Sequence, residues 1–161
     1  MYDTINLWLS IDKASSFDLD KTLQNLSNIT EHTRDDGQMY VSGYLKNFKV
    51  NISEQGVSLK GSLAKYFLPD NFHTLTRSDS ARAFEMMSDE LYLPIQIAKV
   101  NRIDFSQNFL MDFEPEAYYP FLGECQYYNR QPQPKSLYYS NGVRQKLFYN
   151  KIAEGKAKGV S

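Results

Sequence analysis

Apolar and polar residues alternate with a period of two over Ile5-Asn-Leu-Trp-Leu-Ser10, which predicts a strand with Ile5, Leu7 and Leu9 inward. The period then changes. Leu19, Leu23, Leu26 and Ile29 recur at helical spacing behind Asp18, a residue suited to capping, so a helix is expected over that stretch. Asp36-Gly37 ends it. Met39 to Lys46, Phe48 to Ser53 and Val57 to Phe67 read as extended segments, with Gln55-Gly56 as a turn and Pro69-Asp-Asn71 as a break. A second helix is expected from about Ser78, its cap, to Leu91, burying Phe84, Met87 and Leu91 before Pro94 closes it.

Val100-Asn-Arg-Ile-Asp-Phe-Ser-Gln-Asn-Phe109 alternates again. Ile103, Phe105 and Phe109 fall on one side, and Arg102, Asp104, Ser106 and Asn108 on the other. A carboxylate beside an arginine, backed by large apolar residues, suits a polar site over a packed core. An ordinary half-exposed strand has the same pattern. Glu114-Pro-Glu opens a short third helix, Glu124 to Asn129 reads as a strand and Gln131-Pro-Gln-Pro134 as a stiff loop. Ser136 to Ser140 and Val143 to Asn150 flank Asn141-Gly142, the strongest hairpin signal in the chain. From Ala153 to the end the chain reads as helix-like and then flexible. Hairpin runs interrupted by single helices predict an α+β fold with a mainly antiparallel central sheet and two or three flanking helices. With 161 residues and no composition break, one domain is expected over 1–161.

Composition then narrows the function classes. No apolar run is long enough for a membrane span, and no basic region followed by an apolar stretch opens the chain, so a cytoplasmic protein without a membrane partner is expected. The single Cys125 and the widely separated His32 and His73 supply no Cys/His zinc cluster. Glycine-rich phosphate loops are absent too. A metal would therefore be held by oxygens, which points to Mg²⁺ or Mn²⁺. The net charge is −1, but its distribution is uneven. Asp3, Asp12, Asp18, Asp20, Glu31, Asp35 and Asp36 dominate up to Gly37, whereas from Arg130 onward Glu154 is the lone acid against Arg130, Lys135, Arg144, Lys146, Lys151, Lys156 and Lys158. A basic end facing phosphates and a merely solubilising surface both fit this.

Two further segments carry candidate chemistry. In Leu59-Lys-Gly-Ser-Leu-Ala-Lys65, Lys60, Ser62 and Ala64 share one face of the expected strand and Lys65 stands near its end. A phosphate-binding edge and a lysine-guarded edge strand are equally consistent with it. Lys146-Leu-Phe-Tyr-Asn-Lys151 interleaves lysines with aromatics, as a single-strand binding surface does, and as a hairpin packing its rings into a core does. The paired tyrosines Tyr118-Tyr119, Tyr127-Tyr128 and Tyr138-Tyr139 would each give one core ring and one outward ring.

Together, Tyr2-Asp-Thr-Ile-Asn-Leu, Leu59-Lys-Gly-Ser-Leu-Ala-Lys65 with Asn71, Arg102-Ile-Asp104 and Leu147-Phe-Tyr-Asn-Lys151 resemble, in order and spacing, the gene-II-type replication initiators of filamentous phages and related plasmid proteins. The resemblance implies a fold like rolling-circle initiator nuclease domains. It also implies a metal-dependent endonuclease that nicks one DNA strand at a single-stranded or hairpin origin through a tyrosine nucleophile, with host replication proteins as further partners. Asp104 then matches a metal-binding carboxylate on the central strand, and Arg102 pairs with it or contacts phosphate. Lys65 and Lys151 match basic positions, and Lys60, Ser62, Arg144 and Lys146 join them as expected DNA-binding residues. The family's Arg-x-Glu-x-Arg segment and the tyrosine that follows it are not found here, so the chain is expected to be an N-terminal part, inactive alone. A non-catalytic DNA-binding module and a protein-interaction domain are the alternatives.

Overall fold

The computed structural model describes residues 2–13, 18–68 and 75–153, which gather into two compact units divided between Gln107 and Asn108. The larger unit holds β1 (Tyr2–Ser10), α1 (Leu19–Gln24), β2 (Ser27–Thr33), β3 (Met39–Leu45), β4 (Phe48–Ser53), β5 (Gly56–Ser62), α2 (Leu63–Phe67), α3 (Arg77–Leu91) and β6 (Lys99–Phe105). Its six strands form one sheet in the order β2-β3-β4-β5-β1-β6, and every neighbouring pair is antiparallel. The smaller unit carries β7 (Asn129–Gln133), β8 (Ser136–Ser140) and β9 (Gln145–Tyr149) as a second antiparallel sheet. The fold class is α+β, as the hairpin-rich pattern predicts.

One face of the large sheet makes the core. Val50 and Ile52 of β4, Leu59 and Val57 of β5, and Leu7 and Leu9 of β1 stand in register across three strands and are buried. Against them lie Ala83, Met87 and Leu91, spaced four apart along α3, with Leu63, Ala64 and Tyr66 of α2. Gly61 leaves the room that the Phe48 ring occupies, because a Cβ there would stand 2.7 Å from that ring. The end of α3 is tied to α1 by side chains that satisfy its last carbonyls: Thr22 Oγ1 donates to Leu91 O (2.8 Å) and Asn25 Nδ2 to Glu90 O (2.6 Å). No described helix is long and apolar enough to cross a membrane.

Several boundaries differ from the sequence expectation. Asp18 caps α1 as expected, but the helix ends at Gln24, and Ile29 lies in β2. The Ile-Thr segment pairs with β3 after an irregularity at which Asn28 takes a left-handed φ of 52°, so sheet pairing overrides the helical spacing. The strand expected to reach Phe67 stops at Ser62, whose side chain caps α2 by accepting from Lys65 N (3.3 Å). Thr76, not Ser78, caps α3: its hydroxyl accepts from Asp79 N while Asp79 accepts from Thr76 N, which closes a capping box. The third helix is only two single 3₁₀ turns, Pro115–Ala117 and Tyr119–Phe121. Residues 124–128 form no strand, and Tyr127 takes a positive φ of 67°. The Pro-rich stretch instead becomes β7, an edge strand, where a missing N–H is tolerated. The expected hairpin forms, with Asn141 Oδ1 accepting from Arg144 N (2.9 Å) and Gly142 at φ 79°. The expected break at 69–71 and the tail beyond Ala153 lie outside the described residues.

Met87→Ala should lower the unfolding free energy by about 2–5 kcal/mol in urea titrations, since Met87 is fully buried. The Thr76 hydroxyl and N–H hold the Asp79 carboxyl below its ordinary value. Its contribution is therefore present above the ordinary aspartate range and lost as pH falls through the lowered one. Asp79→Asn should thus be less stable than wild type at neutral pH, and the gap should close on acidification. A gap that widened would contradict the capping geometry.

Candidate nucleic-acid interface

The other face of the large sheet is polar because alternation leaves no choice once Ile5, Leu7 and Leu9 turn inward. Thr4, Asn6 and Trp8 of β1, Ser58 and Lys60 of β5, Lys49 and Asn51 of β4, and Ser42 and Tyr44 of β3 all point to it. The described helices bury their apolar side chains in the cluster on the opposite side. The register places Arg102, Asn6, Lys60, Lys49 and Tyr44 in one row across five strands. With strands about 4.8 Å apart, the three cations of that row span roughly 15 Å. The next row reads Lys99, Trp8, Ser58, Asn51 and Ser42. Lys49, Lys60, Lys99 and Arg102 are exposed. Neither row contains an acid.

Lys49 and Lys60 stand directly opposite each other on neighbouring strands. Like charges in that relation oppose sheet formation, and neither lysine has an acidic partner among the described residues. The row is thus kept at some cost to stability, and it suits a polyanion laid across the strands. Trp8 adds a partly exposed ring beside it, and glycine at position 56 makes room for that ring: a Cβ there would stand 2.9 Å from it. At the far edge, His32 stacks on Tyr40 with centroids 4.6 Å apart, and its Nε2 lies 2.8 Å from Ser42 Oγ.

Arg102 and Asp104 share this face, but β6 is the edge of the sheet and not a central strand. Ile103 and Phe105, the expected apolar backing, remain 39 % and 70 % exposed. Arg102 grips Asp104 with two parallel hydrogen bonds, Nε to Oδ1 at 2.8 Å and an Nη to Oδ2 at 2.9 Å. That grip raises the Arg102 pKa above its ordinary value. Both carboxylate oxygens are therefore engaged, and the described residues contain no group of three or more acidic, histidine or cysteine side chains able to hold a metal ion. As described, these residues do not fit a divalent-cation site.

The other expected residues separate. Lys60 joins Arg102 in the basic row. Ser62 is spent on capping α2, and Lys65 stands exposed on that helix, so the expected shared strand face with Ala64, now helical and buried, does not exist. Arg144, Lys146 and Lys151 belong to the smaller unit. There Arg144 closes the hairpin turn, and Lys146 sits 4.5 Å over the Tyr128 ring with its Nζ 3.3 Å from Cys125 Sγ. Lys151 reaches the Tyr149 hydroxyl at 3.3 Å. Sequence reasoning missed Lys49, Asn6, Trp8, Tyr44 and Lys99. The signal available was the polar half of each alternating strand, visible strand by strand but not across the sheet.

Tyr66, Tyr119 and Tyr139 are held as hydrogen-bond donors, the last to Leu122 O at 3.0 Å. Tyr66 donates to Glu90 Oε2 (2.9 Å) and Tyr119 to Phe148 O (3.1 Å), and burial first of all pushes both hydroxyls above their ordinary pKa. Neither environment favours a phenolate.

The Arg102–Asp104 pair is solvent-facing, with side-chain exposures of 60 % and 35 %. Asp104→Ala should accordingly change the unfolding free energy by no more than about 1 kcal/mol. A loss of several kcal/mol in urea titration would show the carboxylate to be structural.

A family model describing the N-terminal region of a phage replication-associated protein matches residues 1–161. Comparisons with curated proteins and with solved structures give no significant match.

Proposed function

We propose a function whose premise is that this chain belongs to the phage replication-associated protein family, as its N-terminal region: it is the DNA-binding part of a replication initiator that nicks one strand at its origin. The observation that carries this reading is the row Lys49–Lys60–Arg102 on the helix-free face of the sheet, with Trp8 beside it. Lys49 and Lys60, which have no acidic partner among the described residues, bind phosphates and supply affinity without reading sequence, and Arg102 extends the row while Asp104 holds its guanidinium. The neighbouring indole offers a face on which a base can stack. In this reading the strand lies across β4, β5, β1 and β6.

The nicking step is transesterification, in which a tyrosine oxygen attacks the phosphodiester, becomes bonded to the 5′ phosphate and leaves a 3′ hydroxyl. Its nucleophile is proposed to lie outside these residues, which accords with the donor roles of Tyr66 and Tyr119, and the chain alone is proposed to be inactive in cleavage. Mg²⁺ or Mn²⁺ would stabilise charge on the phosphate. Asp104 is the residue proposed to reach such an ion, which would have to compete with Arg102 and find its other ligands elsewhere. The same competition favours a second reading, in which the chain is a DNA-binding module without a metal and Arg102–Asp104 only orients the guanidinium toward phosphate.

Binding of a single-stranded oligonucleotide, followed by quenching of the lone Trp8, tests the proposal. Affinity should fall steeply with salt. Lys49→Ala with Lys60→Ala should reduce the slope of log K against log salt by about 1.4, near 0.7 for each phosphate of a single strand that is no longer neutralised. A slope unmoved by both changes would remove the sheet face from the DNA site. Stabilisation of the wild type by Mn²⁺ in thermal melts, lost in Asp104→Ala, would favour the metal-binding reading, and indifference to Mn²⁺ would favour the second.

A further inference from the structure

The smaller unit presents a surface of a different kind. Its three-stranded sheet buries one face, where Leu137 and Tyr139 of β8 pack with Tyr119 and Leu122. The opposite face takes Asn129, Gln131 and Gln133 from β7, Ser136, Tyr138 and Ser140 from β8, and Gln145 and Leu147 from β9. Four of these are amides, and all four amides are exposed. They surround Tyr138, and Gln131, Gln133, Ser136 and Gln145 line an open hollow of about 570 Å³ together with that ring and Lys135. The turns at the two ends of β8 carry Lys135 and Arg144, and residues 129–153 contain five basic side chains (Arg130, Lys135, Arg144, Lys146 and Lys151) and no acid.

Amides and lysines do different work on DNA. A phosphate-binding surface needs cations, as on the large sheet. An amide both donates and accepts, so a glutamine can match the paired donor and acceptor that adenine shows in the major groove. The groove is about 12 Å wide and takes two strands side by side, and sheets are known to read it, so two neighbouring strands of this sheet can direct their side chains into it. A single-strand platform would be dominated by successive aromatic rings, whereas this face carries four amides beside Tyr138 and, at its end, Tyr149.

We propose that the amide face of β7–β9 reads base edges in the major groove of duplex DNA, with Gln131, Gln133 and Gln145 as the specificity-determining residues and Lys135 and Arg144 on the bordering phosphates. This rests on the DNA-binding reading above and adds the source of sequence choice, since the large sheet's cations carry none. All three glutamines are exposed, so replacing them leaves the hairpin and its core in place.

The test is selection of bound duplexes from a pool with a randomised segment, performed with the whole chain, followed by competition between the selected duplex and a scrambled one. The wild type should enrich a defined motif. Gln131→Ala, Gln133→Ala and Gln145→Ala should each relax a different motif position, lowering preference there by about tenfold. Affinity for scrambled duplex and its salt slope should stay unchanged. Steep, salt-dependent binding with no enriched motif, or a motif untouched by all three substitutions, would overturn this inference and leave the initiator reading standing. Absence of binding to either duplex or single-stranded DNA would overturn both, and a protein partner would then be the occupant of the face.

Discussion

The larger unit depends on burying one face of a six-stranded antiparallel sheet under α3 and its neighbours. Leu7, Leu59 and Val50 stand in a single register row and are almost fully shielded from solvent, and Met87 and Leu91 close over that side of the sheet. Since successive strand residues face opposite ways, every apolar side chain committed to that side commits a neighbour to the other. A slip of one residue in β1 would turn Asn6 and Trp8 inward and expose Leu7. The polar face is therefore as strictly specified as the core, although nothing described packs on it from the helices.

That constraint explains how a chain with a net charge of −1 can present a basic surface. The acids lie largely in turns, caps and helices: Asp18 and Asp79 cap helices, and Glu90 holds Lys46 and Tyr66 at the end of α3. The open face keeps its lysines and Arg102 with one carboxylate only. The facing pair Lys49 and Lys60 is hard to explain by stability alone and is readily explained by a bound polyanion. On the two proposals made above, the sheets would divide recognition along chemical lines, cations for phosphate on one and amides for base edges on the other.

The position of β6 at the sheet edge reshapes the role of Asp104. On a central strand this carboxylate would have had side chains on both flanks and a covered face from which to draw ligands. At the edge its nearest charged group is Arg102, two residues along the same strand, and the two neutralise one another. Its two oxygens are taken up by that guanidinium, which ties the carboxylate to the orientation of Arg102.

Much of the fold was legible locally. The alternation in β1, the cap at Asp18, the Met87–Leu91 side of α3 and the Asn-Gly hairpin all arise from interactions within a few residues, so composition and spacing reveal them. Apart from the local caps at Ser62 and Thr76, the failures were places where a distant partner decides. Ser27–Thr33 became a strand because β3 offered its edge, and the Pro-rich stretch became β7 because β8 accepted it on a side needing no N–H from Pro132. By itself the sequence determined which residues are apolar, how they repeat, and hence that the chain is α+β and mainly antiparallel. Only the tertiary structure decided strand order, because pairing energies are similar for many arrangements and the choice rests on packing the whole core. That order put Lys49, Lys60 and Arg102 in one row and moved Asp104 from the centre to the edge.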